Sequence, residues 1–199
     1  MERERYRLVF SGSGGQGVIT AAIILAEAAV IYEGLNAVQS QSYGPEARGG
    51  ATRADVIISN RDIRFPKVTQ PNVLVCLTQE AYSKFSATIR PGGLLLFDSQ
   101  FVKPERKVDA RQLGLPMHET VMDRLGKSIV YNICVLGATL GLTRLVSTES
   151  IMKVLGDRVP PDLLELNKAA FEIGLELAEG SEKPEVRGQR SEVSQQRKP

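Results

Sequence analysis

The stretch Arg7-Leu8-Val9-Phe10-Ser11-Gly12-Ser13-Gly14-Gly15-Gln16-Gly17-Val18 decides the fold. A short apolar run, Leu8 to Phe10, enters a glycine turn, and an alanine-rich apolar segment leaves it. Gly12, Gly14 and Gly17 have the G-x-G-x-x-G spacing in which a strand feeds a helix whose N-terminus can hold a phosphate. Glycine permits positive φ and close approach of the backbone. The unpaired N–H groups and the positive dipole end of the helix favour an anion. The spacing predicts a first strand over Tyr6 to Ser11 and a helix over Gln16 to Tyr32. That helix is apolar over most of its circumference, so it is expected to bury more than one side, against a sheet and a partner.

Working outward, Gly34 stands at a helix C-cap position and Asn36 to Gln39 reads as a short second strand. Ala51 to Ser59 alternates and reads as a strand; Asn60 to Asp62 turns, and Ile63 to Phe65 is expected to pair back as a hairpin. Asn72 to Leu77 is a continuous apolar run of the buried parallel type. A helix follows over Gln79 to Thr88, then a turn at Arg90-Pro91-Gly92-Gly93 and a strand over Leu94 to Phe97. From Thr120 the pattern is helical, with segments at Tyr131 to Leu142, Thr148 to Leu155 behind a capping Ser147, and Asp162 to Ala178. This order predicts an α/β, three-layer, Rossmann-like and mostly parallel sheet with a helical C-terminal part.

The 199 residues suit one domain, placed at 1–180, with a polar tail at 181–199 that cannot bury enough apolar surface to order itself. The tail carries the whole net charge of +2, five cations against three glutamates, leaving the rest formally neutral. Interspersed glutamates argue against a nucleic-acid arm. No apolar run approaches the roughly 20 residues of a membrane span, and the charged N-terminus does not resemble a secretory signal. Cys76 and Cys134 each sit in an apolar run and read as reduced core residues of a cytoplasmic protein.

The glycine turn alone leaves three readings open: a nicotinamide dinucleotide, another phosphate-bearing ligand, or a turn that only packs its helix. The dinucleotide reading needs a carboxylate near the end of the second strand. Val38-Gln39-Ser40 offers none, and no nearby arginine suits a 2′-phosphate. A second loop, Ser40-Gln41-Ser42-Tyr43-Gly44-Pro45-Glu46-Ala47-Arg48-Gly49-Gly50, follows a strand and so belongs at a strand's carboxyl end near the turn. Its hydroxyls, aromatic ring, glycines and Arg48 suit a binding loop; a wide turn with an internal Glu46–Arg48 pair is the plainer alternative. His118 reads as a surface histidine near a helix start, and Asp98-Ser99 as a turn or cap at a strand's carboxyl end.

Together the two loops resemble the gamma subunit of the 2-oxoacid:ferredoxin oxidoreductases, most of all the 2-oxoglutarate members. The resemblance runs through Phe65-Pro66, Asn72 to Leu77, Gln79-Glu80-Ala81, Pro91-Gly92-Gly93, Asn132 with Gly137, and Leu166 to Phe171. It implies that 2-oxoacid, coenzyme A and oxidised ferredoxin give acyl-CoA, carbon dioxide and reduced ferredoxin. Thiamine diphosphate, magnesium and iron–sulfur clusters are then expected on alpha, beta and ferredoxin-like delta partners. Two isolated cysteines and one histidine suit no cluster or metal site here. The chain alone is expected to be inert, with no catalytic or metal-binding residue. A share in coenzyme A binding falls to Gly12, Gly14, Gly15, Gln16, Gly17, Ser42, Tyr43 and Arg48. The backbone of the turn would receive one phosphate, and Arg48 would pair another. From other classes, a stand-alone nucleotide-dependent enzyme and a nucleotide-binding regulatory domain remain as alternatives.

Overall fold

A computed structural model describes residues 5–42 and 51–182. The apolar run after Arg5 forms β1 (Tyr6–Gly12), and the turn leads into α1 (Val18–Glu27). The helix begins at Val18 rather than Gln16 because Gly17 takes the left-handed conformation, φ +70°, which ends the turn and starts the helix. A single π-helical turn, Ala28–Tyr32, finishes it, and Gly34 at φ +64° turns the chain into β2 (Asn36–Ser42). The remaining strands are β3 (Thr52–Ser59), β4 (Val73–Cys76), β5 (Gly93–Asp98) and β6 (Ala110–Leu115). The remaining helices are α2 (Gln79–Phe85), α3 (Met117–Leu125), α4 (Tyr131–Thr143), α5 (Thr148–Arg158) and α6 (Pro161–Glu182).

The sheet has the order β2-β3-β1-β4-β5-β6. β1, β4, β5 and β6 pair in parallel, while β3 runs antiparallel to both β1 and β2. Five strands therefore run one way and their carboxyl ends share one edge. One face is covered by α1 and the helices α3 to α6, around Leu8, Phe10, Val75 and Leu136, with α4 packed on α6 and α6 reaching β6. The other carries the thinner layer of α2, where Tyr82 and Ala81 pack on Val9, Leu74 and Leu95. This is the expected three-layer α/β architecture.

Two expectations are corrected. Ile63 to Phe65 is not a strand: both edges of β3 are already taken, by β2 and β1, so no ladder is left for a hairpin arm. The Arg5 guanidinium donates to the Phe65 carbonyl instead, and a few residues on Arg53 and Asp55 of β3 bond the Val68 backbone. β6 was not expected; Ala110-Arg111-Gln112-Leu113-Gly114-Leu115 is a half-exposed edge strand, and its polar and glycine positions hide the period. Ser147 does cap α5, its Oγ accepting from the Ser150 N–H at 3.1 Å.

Helix α4 is buried from Tyr131 through Leu140, on every side. It crosses α6 at glycine: a methyl group on Gly137 would run into the Phe171 carbonyl, and one on Gly174 into the Cys134 carbonyl. Backbone thus packs on backbone in the centre of the helical layer. Among the described residues no helix is long and apolar enough to cross a membrane.

Candidate functional site

The strand carboxyl ends bring the glycine turn and the start of the second loop together. Gly12 ends β1 opposite Thr52, and Ser42 ends β2 opposite Arg53, the next residue of the same strand. Ser42 was expected in a loop beginning at Ser40; it is the exposed last residue of β2, at the rim of this edge. Tyr43 and Arg48 lie outside the described residues.

The turn is held from within. Gln16 folds its side chain back so that Oε1 accepts from the Ser13 N–H at 2.7 Å, and its own N–H donates to the Ser13 carbonyl at 3.3 Å. The same amide lies over Gly12, in the space a Cβ there would need. The Gln16 acceptor is therefore committed to shaping the loop. Gly14 and Gly15 are exposed, and a Cβ built on either meets nothing within 4 Å. Behind them α1 starts with no side-chain cap and no acidic residue in its first turn. An open backbone stretch in front of an uncapped helix N-terminus is a suitable receptor for a phosphate.

Gly17 differs from its neighbours in the turn. Its Cβ position lies 2.7 Å from the Asn132 side chain, whose amide donates to the Gly17 carbonyl at 3.5 Å. The first turn of α4 is thus pressed against the start of α1. One residue earlier, the Tyr131 hydroxyl donates to Asp98 Oδ2 at 2.7 Å. Asp98, fully buried at the end of β5, also accepts from the backbone N–H groups of His118 at 2.8 Å and Gln100 at 2.9 Å. Its expected turn-and-cap role is observed, and the third bond ties α4 to the same strand end.

His118 is half-buried rather than a surface residue. Its ring sits edge-on to Phe101 and Tyr131, with centroids 5.0 and 5.2 Å away, and Nδ1 lies 2.8 Å from Gln100 Oε1. Burial first, and then the Asp98 charge, pushes the Tyr131 hydroxyl far above its ordinary pKa, so it stays a donor. Under the turn, the Ser11 hydroxyl donates to the Val75 carbonyl at 2.7 Å, and burial pushes the Cys76 thiol up to about 12. Cys134 on α4 is likewise pushed to about 12 by burial; both thiols are free. The sequence marked the turn. It did not mark Asp98, Tyr131 and Asn132 as the groups that seat it, because a lone buried carboxylate and an apolar helix carry no local motif.

These features, a β1–turn–α1 unit and a mostly parallel sheet with one reversed strand, coincide with a known protein family. Residues 7–177 match the family model for pyruvate ferredoxin/flavodoxin oxidoreductase, and the chain belongs to that family. More particularly, it is 44% identical over 176 residues to the 2-oxoglutarate synthase subunit KorC of Methanocaldococcus jannaschii, covering 87% of this chain and 94% of that one. The crystal structure of a keto/oxoacid ferredoxin oxidoreductase gamma subunit from Geobacter sulfurreducens superposes with a TM-score of 0.80 at 46% identity, over 88% of this chain and 99% of that one. A 2-oxoglutarate:ferredoxin oxidoreductase from Magnetococcus marinus, with 2-oxoglutarate, coenzyme A and succinyl-CoA bound, gives the same TM-score at 24% identity. It covers 90% of this chain and 32% of that one, a likeness of fold.

Proposed function

We propose that this chain is the gamma-type subunit of a 2-oxoglutarate:ferredoxin oxidoreductase, and that its glycine turn helps to hold coenzyme A in the assembled enzyme. The assignment as a subunit rests on kinship with the KorC subunits, which extends over nearly the whole of both chains. The observation that supports a coenzyme A role is the open backbone at Gly14 and Gly15 in front of the uncapped start of α1. Coenzyme A carries a pyrophosphate and a 3′-phosphate, which suit such a loop. On this reading Gly12, Gly14, Gly15 and Gly17 form the cradle, Gln16 shapes it, and Ser42, Tyr43 and Arg48 approach from the second loop. Nothing in the fold or the kinship favours a stand-alone nucleotide-dependent enzyme or regulatory domain.

Thiamine diphosphate, magnesium and iron–sulfur clusters belong, on the same reading, to alpha, beta and delta partners, through which ferredoxin is reduced. Val30, Ile31 and Tyr32, exposed at the end of α1, offer an apolar surface for one of them. The two free, buried thiols fit a reducing, cytoplasmic setting. The domain is then read as 1–182, because α6 continues to Glu182 past the expected boundary at 180, with 183–199 as a dispensable polar tail.

The test is kinetic, in the assembled complex with viologen as acceptor. Gly14→Ala places a methyl group where the phosphate would approach. Arg48→Ala removes the paired charge. Each is expected to raise the KM for coenzyme A by about tenfold, which corresponds to about 1.4 kcal/mol. The KM for the 2-oxoacid should not move, and the isolated chain should reduce no viologen. Equal weakening toward both substrates, or loss of subunits on gel filtration, would turn the turn and the loop into assembly surfaces.

A further inference from the structure

The opposite edge of the sheet, where the strands begin, carries an open cavity of about 460 Å³. Arg5, Arg7, Lys67 and Arg90 line it, with Thr69 and Gln70 between them and Phe65 and Pro91 at its rim. Among the described residues no carboxylate lines it, and no Asp or Glu forms an ion pair with any of the four cations. In a chain whose charge outside the tail is formally zero, four cations around one cavity, with no ion-pair partner among the described residues, are a marked concentration.

One of the guanidinium groups is held directly, and the backbone that carries two others is anchored. Arg5 donates through a guanidinium nitrogen to the Phe65 carbonyl at 2.7 Å, while its Nε is buried without a partner. Arg7 is fixed on both backbone sides by Asn72, which accepts from its N–H at 3.0 Å and donates to its carbonyl at 2.7 Å. Arg90 is anchored by its N–H on the Pro71 carbonyl at 3.1 Å. The pKa of the Arg7 guanidinium is lowered, first by burial and then by the charges of Arg5 and Arg90. A neighbouring cavity of about 420 Å³ shares Arg90 and adds Arg111.

We propose that this cavity is a second anion site of the subunit, for a phosphate-bearing small molecule of three or four negative charges, the class of inorganic tripolyphosphate and the nucleoside di- and triphosphates. Three of the four cations are arginines, whose planar forks pair phosphate oxygens bidentately. The volume lies in the range of small-ligand pockets, in an open depression lined mostly by exposed residues. Phe65, 56% exposed beside the cations, offers a ring face to a planar group attached to the phosphates. The site lies across the sheet from the glycine turn and does not depend on what that turn binds.

Calorimetric titration of magnesium-free tripolyphosphate, and separately of ADP, into the full-length chain and into the assembled complex tests this. Both forms are expected to bind, more weakly at 300 mM than at 50 mM salt, with ADP held through the ring contact as well. Arg7→Gln with Arg90→Gln should weaken binding at least tenfold. Because it relieves repulsion, the double variant should melt no lower than the parent at low salt, which separates lost binding from lost folding. Gly14→Ala should leave the binding that depends on Arg7 and Arg90 unchanged, whatever phosphate the glycine turn itself takes up. Absence of binding in both forms, equal affinity in the double variant, or sensitivity of that binding to Gly14→Ala would overturn the proposal. So would binding by the free chain that vanishes in the complex, since the cavity would then be a subunit contact.

Discussion

The glycines of the turn after β1 and those of the α4–α6 crossing answer opposite needs. Gly14 and Gly15 have empty space where a side chain would stand, whereas Gly137 and Gly174 have a carbonyl there. In the crossing, glycine is required by close contact inside the protein, and its role is complete without a ligand. In the turn, Gly14 leaves room that none of the described residues fills. Gly17 lies between the two cases, with left-handed φ and a neighbour, Asn132, at 2.7 Å from its Cβ position. Empty space alone does not mark a binding residue, since Gly34, Gly92 and Gly126 share it at ordinary turns; at Gly14 it coincides with the uncapped start of α1.

That contrast orders the expected effects. Gly137→Val or Gly174→Val forces a branched side chain into backbone that cannot move aside without parting the helices. Either should cost about 3 kcal/mol or more, the upper range for overpacking, or prevent folding. Chemical denaturation measures this, and a loss under 1 kcal/mol would show that the helices slide apart easily. Gly17→Ala comes next, at about 2 kcal/mol from left-handed strain and the Asn132 contact. Combining it with Asn132→Ala should recover the contact part but not the strain, and a double-mutant cycle separates the two.

Each region also holds one buried thiol, Cys134 in the crossing and Cys76 below the turn. A thiol pushed up to about 12 in the fold, against about 8.5 unfolded, favours the neutral form in the native state. Its contribution is therefore complete below pH 8.5 and is lost as pH rises from there toward 12, by up to about 1.4 kcal/mol per pH unit per thiol. Melting scans between pH 8 and 11 should show a steep fall that Cys76→Ala and Cys134→Ala each flatten. A slope unchanged in both would mean that other groups, Tyr131 among them, dominate alkaline unfolding. The smallest expected effect on stability is that of Gly14→Ala, within about 0.5 kcal/mol, since it touches nothing. Its consequence should be confined to coenzyme A. A large loss of stability there would erase the distinction between the two regions.

Much of the fold was legible because the apolar runs of β1, β4 and β5 and the buried face of α1 obey simple periods. β6 escaped because an edge strand with Arg111, Gln112 and Gly114 alternates poorly. The false hairpin at Ile63 arose because no local pattern shows that β3 already has two neighbours. Of the candidate site, the turn was plain in the glycine spacing. The groups that seat it come from β5 and α4, far along the chain, and long-range contacts such as Tyr131 to Asp98 leave no trace in local sequence. The π-helical turn at Ala28–Tyr32 was equally silent, since one extra residue per turn leaves an apolar segment apolar.

The contact between Gly17 and Asn132 spans 115 positions, and this separation sets an order of events during synthesis. At about 5–20 residues per second, roughly 6–23 s pass between the emergence of the turn and that of the residue that presses upon it. Through that interval α1 has its strand but not its covering helix, and its apolar surface remains open to the surroundings. The turn therefore reaches its final shape only once Asn132 has emerged.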